Sequence, residues 1–160
     1  MSARGFNIAQ EGHTVLVLNP GSISGGVVGQ VFSLKNAAKA NIIIQWGALA
    51  AAQGQVQLFA CSDLAGDNPV AIGFDRFQQV ASGAGNDVLA ARVAVPAAGY
   101  LPSDVPNTID VLVIQADTLP TGTSYLKLAI ADGTNVDYAA AVAILTGLSF
   151  QGDSNPSATV

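Results

Sequence analysis

The sequence predicts an all-β fold, a jelly-roll-like β-sandwich of about eight strands. Three observations carry that expectation. Apolar residues recur with period two in one run after another, which places alternate side chains on opposite faces of an extended chain. Gly, Pro, Asn and Asp punctuate these runs at intervals of about 8 to 15 residues, the rhythm of a sandwich rather than of alternating strands and helices. No long helical pattern interrupts them. At 160 residues the chain divides into an extended N-terminal arm (1–12), a single sandwich domain (13–150) and a polar C-terminal tail (151–160).

Taken in order, the arm MSARGFNIAQEG holds only Phe6 and Ile8 as apolar anchors, and these two are the candidate partner contacts. The first strand, His13 to Leu18 (HTVLVL), is expected to stop at Asn19-Pro20-Gly21 by turn chemistry. A glycine-rich link leads to a second strand over Val27 to Lys35. The stretch Asn41 to Asp63 is the centre of the chain. Ile42, Ile44 and Trp46 share one face of a strand, with Ile43, Gln45 and Gly47 on the other; β-branched residues in succession also oppose a helix. After the connection Ala48 to Gly54, which fits a loop or a helical turn equally, Val56, Leu58 and Ala60 alternate with Gln55, Gln57, Phe59 and Cys61.

The run Val70 to Val80 is ambiguous. Ile72 and Phe74 fit a strand, Phe74 and Phe77 fit a helical i, i+3 pair, and Gly73 inside the run favours the strand. Ser82 to Asp87 is a turn, followed by a strand over Val88 to Val95 that ends at Pro96. A loop, AAGYLPSDVPN, shelters under Tyr100 and Leu101. Three runs close the domain. Ile109, Val111 and Val113 alternate with Asp110, Leu112 and Ile114; Leu126, Leu128 and Ile130 alternate with Tyr125, Lys127 and Ala129; Val142 and Ile144 oppose Ala141, Ala143 and Leu145. Asp132 to Asp137 is expected to join the last two as a hairpin.

Composition narrows the function. Charged residues are 11% of the chain, against about 25% in ordinary soluble domains, so small and polar uncharged residues must cover the surface. A surface so poor in charge suits an exterior buried in an assembly. Net charge is −5 with six scattered Lys and Arg, which opposes nucleic-acid binding because phosphate neutralisation needs clustered cations. No stretch reaches the roughly 18 apolar residues of a membrane span, and no membrane partner is expected. The N-terminus lacks the apolar core of a secretory signal, and one cysteine, Cys61, forms no internal disulfide; both fit synthesis in a cytoplasm.

The constellations that could carry chemistry are sparse. His13 is the single histidine, so a zinc site or Ser/His/Asp triad would be assembled around one ring; a surface histidine at a strand end is the simpler reading. Cys61 has no cationic neighbour in sequence to lower its pKa and reads as an inert thiol. GSISGGVVG lacks the Gly-Lys-Ser/Thr ending of a phosphate loop, and GAGNDV has valine where a dinucleotide fingerprint needs glycine. Asp63 with Asp67, and Asp132 with Asp137, lack EF-hand spacing and read as solvated loop carboxylates. Trp46 reads as core. No catalytic residue, metal ligand or cofactor is assigned, and the chain is expected not to be an enzyme.

The phrases GFNIAQ, VFSLKNAAKANIIIQWG, VQLFACSD and AVAILTG together resemble small structural proteins encoded near the head genes of tailed bacteriophages, in which an arm precedes a VFSMKN-like strand and an IIIQxG strand. The resemblance covers most of the chain and rests on strand signatures, with no catalytic residues to carry over. It implies a virion component, foremost a capsid decoration or cement protein whose partners are the major capsid protein and copies of itself, as dimer or trimer. A tail or connector accessory protein is the nearest alternative; a carbohydrate-binding β-sandwich, which would need exposed aromatics, comes from another class.

Overall fold

Period-two runs of β-branched and aromatic residues pair into eleven strands in the computed structural model, which describes residues 5, 7–49, 54–79, 88–103, 105–133, 137–149 and 157–159. The strands are β1 (His13–Ser22), β2 (Val27–Val28), β3 (Phe32–Ser33), β4 (Ala37–Trp46), β5 (Val56–Cys61), β6 (Val70–Ile72), β7 (Phe74–Gln79), β8 (Val93–Val95), β9 (Ile109–Gln115), β10 (Tyr125–Ile130) and β11 (Tyr138–Leu148). One sheet runs β1-β11-β4-β9-β7-β8. The other runs β2-β10-β5-β6, with β3 also paired to β10. All described pairings are antiparallel. The fold is thus an all-β sandwich, with more strands than the eight expected.

The two inner faces meet as the alternation requires. Ile42, Ile44, Trp46, Leu112, Ile114 and Leu145 of the six-stranded sheet pack against Phe32, Val56, Leu58, Leu126, Leu128 and Ile130 of the other, all of them buried. Each large apolar side chain so placed contributes about 1.5–3 kcal/mol relative to water. Ala139, Ala141 and Ala143 give β11 a small-residue inner face.

Several expectations change. β1 continues through Asn19-Pro20-Gly21 to Ser22, with register shifts at Leu16/Leu18 and Leu18/Gly21. Proline is tolerated there because β1 is an edge strand that pairs only with β11, so the missing N–H leaves no ladder bond unmade. The expected strand over 27–35 is two short ones, broken where Gly29 sits against Val17. The ambiguous run 70–80 is two strands in different sheets that turn at Gly73, where a Cβ would stand 2.9 Å from Val95 O. Phe74 points in and Phe77 out, so the helical pairing is absent. Only Val93–Val95 of the expected strand 88–95 joins a ladder, while Leu89 makes an isolated bridge to Gln79. β10 and β11 lie in opposite sheets, so the hairpin pairing expected between them is absent, and residues 134–136 of the 132–137 connection lie outside the described residues. Ser82–Asp87 and residues 50–53 of the undecided connection lie outside the described residues.

The arm is not wholly extended. Ile8–Glu11 forms one helical turn, α1, capped by Asn7, whose Oδ1 accepts from Ala9 N–H at 3.1 Å. At the other end, Ala158 is buried in the core and its carbonyl accepts from Ser33 N–H at 2.8 Å. The described part of the tail therefore folds back on its own sandwich. No helix among the described residues is long and apolar enough to cross a membrane.

Candidate functional site: an apolar sheet face above a buried ionic cluster

β9 carries Asp110 in the inward phase, with Leu112 and Ile114, so its carboxylate enters the interior with no solvent exposure. An ionised group there needs partners, and three elements supply them. Trp46 Nε1 of β4 donates to Oδ2 at 2.8 Å, Arg76 Nε of β7 donates to Oδ1 at 2.9 Å, and Tyr100 OH donates to Oδ2 at 2.8 Å. The Arg76 guanidinium also lies 4.2 Å from the Tyr100 ring centroid, a cation–π stack. Phe74 meets Tyr100 edge-to-face at 6.1 Å. Burial, and then the Asp110 carboxylate beside it, push the Tyr100 hydroxyl well above its ordinary pKa. Tyr100 therefore stays a donor at neutral pH. Arg76 Nη2 is buried without a hydrogen-bond partner among the described residues. With both Asp110 oxygens engaged by donors, the cluster presents no free base to a substrate; it clamps β4, β7, β9 and the 96–107 loop together.

The sequence-predicted residues fall elsewhere and are not gathered. His13 opens β1 and lines a hollow of about 20 Å³ with Leu145 and Ala158. Cys61 is buried, and desolvation raises its thiol pKa above the ordinary value. Trp46 is core, as expected, but also a hydrogen-bond donor. Asp63 accepts from Asp67 N–H at 3.1 Å and Asp132 from Gly25 N–H at 2.8 Å. Asp137 is 1% exposed, so it is not the solvated loop carboxylate the sequence suggested. Ile8 is 43% exposed on α1 and Phe6 lies outside the described residues.

The outward phase of the six-stranded sheet is the larger surprise. Register places Leu16, Val142, Ile43, Val111 and Phe77 side by side across β1, β11, β4, β9 and β7. This apolar row spans five strands on the solvent side, with Leu16 49% exposed and the other four half-buried. The rows beside it are mixed: Thr14, Ile144, Asn41, Val113 and Asp75 on one side, Ala140, Gln45, Ile109 and Gln79 on the other. Asp75 is paired with Arg92 at 2.9 Å. A cleft of about 470 Å³, lined by Pro20, Gln45, Tyr138 and Ala140, opens at one end of the face. At a corner of it, Gly12 packs against Ile144 and Ile8. The outer face of the five-stranded sheet differs, since Lys127 Nζ stands 5.9 Å from the Phe59 ring and Lys35 Nζ 4.8 Å from the Tyr125 ring.

Fold and surface together define, among the described residues, a two-sheet antiparallel sandwich with a buried ionic clamp and an apolar row on the outer face of the larger sheet. No family model matches the chain, and no curated protein matches it. Among solved structures it is similar to the crystal structure of the SPBc2 prophage-derived protein YomS, at 9% sequence identity and a TM-score of 0.46, over 84% of this chain and 94% of that one.

Proposed function

We propose that this chain is a non-enzymatic virion structural protein of a tailed bacteriophage, foremost a decoration or cement protein that attaches to the outside of the head and stabilises it. The observation that carries the reading is the apolar row Leu16–Val142–Ile43–Val111–Phe77 on the outer face of the larger sheet. A chain with 11% charged residues and such a row has a surface suited to seating on other proteins, since contiguous exposed apolar patches mark interaction sites. The strand phrases VFSLKNAAKANIIIQWG and AVAILTG, similar to those of phage head-region proteins, support the same reading. Its partners are then the major capsid protein and further copies of itself, and it is made in the host cytoplasm before joining the virion. A carbohydrate-binding role has less support, because the rings of Phe59 and Tyr125 each carry a lysine ammonium above them, which leaves Tyr138 at the cleft as the exposed aromatic among the described residues.

Mass spectrometry of gradient-purified particles tests this. The chain should be found in them at a copy number comparable to the major capsid protein, and particles lacking it should release their DNA at a lower temperature. Abundance in the lysate with absence from purified particles would sink the proposal.

A further inference from the structure

We infer that the outer face of the six-stranded sheet is a self-association surface, occupied in solution by the same face of a second copy. This deepens the proposed structural role by naming the surface and its occupant. It is tested without the particle.

The first reason is symmetry. An isologous interface needs a patch that matches itself about a two-fold axis. Ile43 is the midpoint of the apolar row, flanked by β-branched Val142 and Val111 and then by the larger Leu16 and Phe77. An in-plane two-fold through Ile43, along or across the strands, lays this row on its own copy. With the axis across the strands, Asn41 also meets the partner copy's Gln45-bearing row, amide against amide.

Area is the second reason. The paired outward positions of the five strands, with strands about 4.8 Å and rows about 6.8 Å apart, cover roughly 550 Å² of flat sheet, before side-chain relief and Ile8 beside Ile144 are added. A stable interface takes about 800 Å² of accessible surface per partner. Two sheet faces also pack naturally at about 10 Å.

Charge is the third. Although the chain carries −5 overall, its charges within the paired rows of this face are Lys39 and Asp75, and Asp75 is already bonded to Arg92. The two-fold across the strands sets Lys39 and Asp75 against uncharged positions, whereas the one along the strands would stack Lys39 on its own copy, so the axis runs across the strands. An apolar centre bordered by Asn, Gln and Thr has the core-and-rim composition of an interface.

Sedimentation velocity of the full chain at micromolar concentration should show a dimer or a higher oligomer built on it. Val111→Asp should raise the dissociation constant by about 100-fold or more, because each two-fold contact would bury an unpaired carboxylate. Val111→Thr, which keeps the β-branched shape, should weaken association less, and circular dichroism should show both variants folded. Ile43→Cys should be joined to its copy by a short bismaleimide cross-linker, whose reach suits sheets about 10 Å apart where a direct disulfide would not, while Thr121→Cys, exposed on the turn between β9 and β10, should not. A wild-type chain that stays monomeric overturns the inference even if it is found on particles. So does an oligomer that survives Val111→Asp and is not trapped by Ile43→Cys. Self-association through this face by a chain absent from particles would uphold the inference and remove only the virion role.

Discussion

Arg76 Nε and Asp110 Oδ1 stand 2.9 Å apart inside the sandwich, joining β7 to β9 through an ion pair whose acidic member is wholly buried. Such a pair adds little beyond an apolar substitute, but breaking it strands a charge in a low-dielectric interior. Removing Asp110 would also leave the Trp46 and Tyr100 donors without their shared acceptor.

Removing either partner alone should therefore destabilise the domain by about 3–5 kcal/mol. Arg76→Ala and Asp110→Ala, measured by urea unfolding, should each fall in that range, and the double variant should cost less than their sum. Losses below ~1 kcal/mol would mean that the pair behaves like a surface salt bridge.

Gly54 makes a second, sharper prediction. It is buried beside the chain that leaves β10, and a Cβ there would overlap the carbonyl oxygen of Ala131. Ala131 N–H donates to Gln55 O at 2.9 Å, so the two backbones cannot separate without losing that bond. Gly54→Ala should cost ~3 kcal/mol or more in urea unfolding. Gly21→Ala, whose new methyl would approach Asn19 O only to 3.9 Å, should stay within about 0.5 kcal/mol of the parent.

How much of this was legible in the sequence follows from which signals are local. Alternation in Ile42–Trp46, Val56–Ala60 and Leu126–Ile130 gave the inward residues correctly because side-chain direction depends only on parity along a strand. Which sheet a strand joins is not local. The loop 132–137 looks the same whether it closes a hairpin or crosses the sandwich, and Pro20 reads as a stop unless β1 is known to be an edge. Asp110 reads in sequence as one more position of the alternation, because its partners Arg76 and Trp46 lie 34 and 64 residues away. A signal was present: Asp110 shares the phase of Leu112 and Ile114, so it had to be buried. The outer row was also half visible, since Ile43, Val111 and Val142 are apolar in the phase opposite the core.

Tyr100 predicts the alkaline limb of the stability curve. Burial and the Asp110 carboxylate raise its pKa in the folded state, whereas an unfolded tyrosine titrates near about 10. The folded chain therefore holds the proton more tightly. Stability from this group is complete below about pH 10 and is lost as pH rises from there toward the folded value, because the unfolded chain then binds fewer protons. The melting temperature of the parent should fall more steeply above about pH 10 than that of Tyr100→Phe, which should start lower by the loss of one charge-assisted hydrogen bond, about 1.5–3 kcal/mol. Parallel curves for the two proteins would contradict the assignment.

The arm separates folding from attachment. α1 has no buried residue, and its four residues are too few to form a helix without the Asn7 cap and the contact of Gly12 with Ile144. Ile8 is 43% exposed at the corner of the apolar face, so it contributes little to the core and its side chain is available to a neighbouring molecule. Ile8→Ser should change the unfolding free energy by no more than about 0.5 kcal/mol, while lowering the occupancy of the chain on purified particles at limiting concentration. The informative comparison is with Leu128→Ala, a core change expected to cost about 2–5 kcal/mol without touching the outer face. If Ile8→Ser lowers stability as much as Leu128→Ala does, yet the folded fraction still decorates particles like the parent, then α1 belongs to the core and Ile8 is not a partner contact.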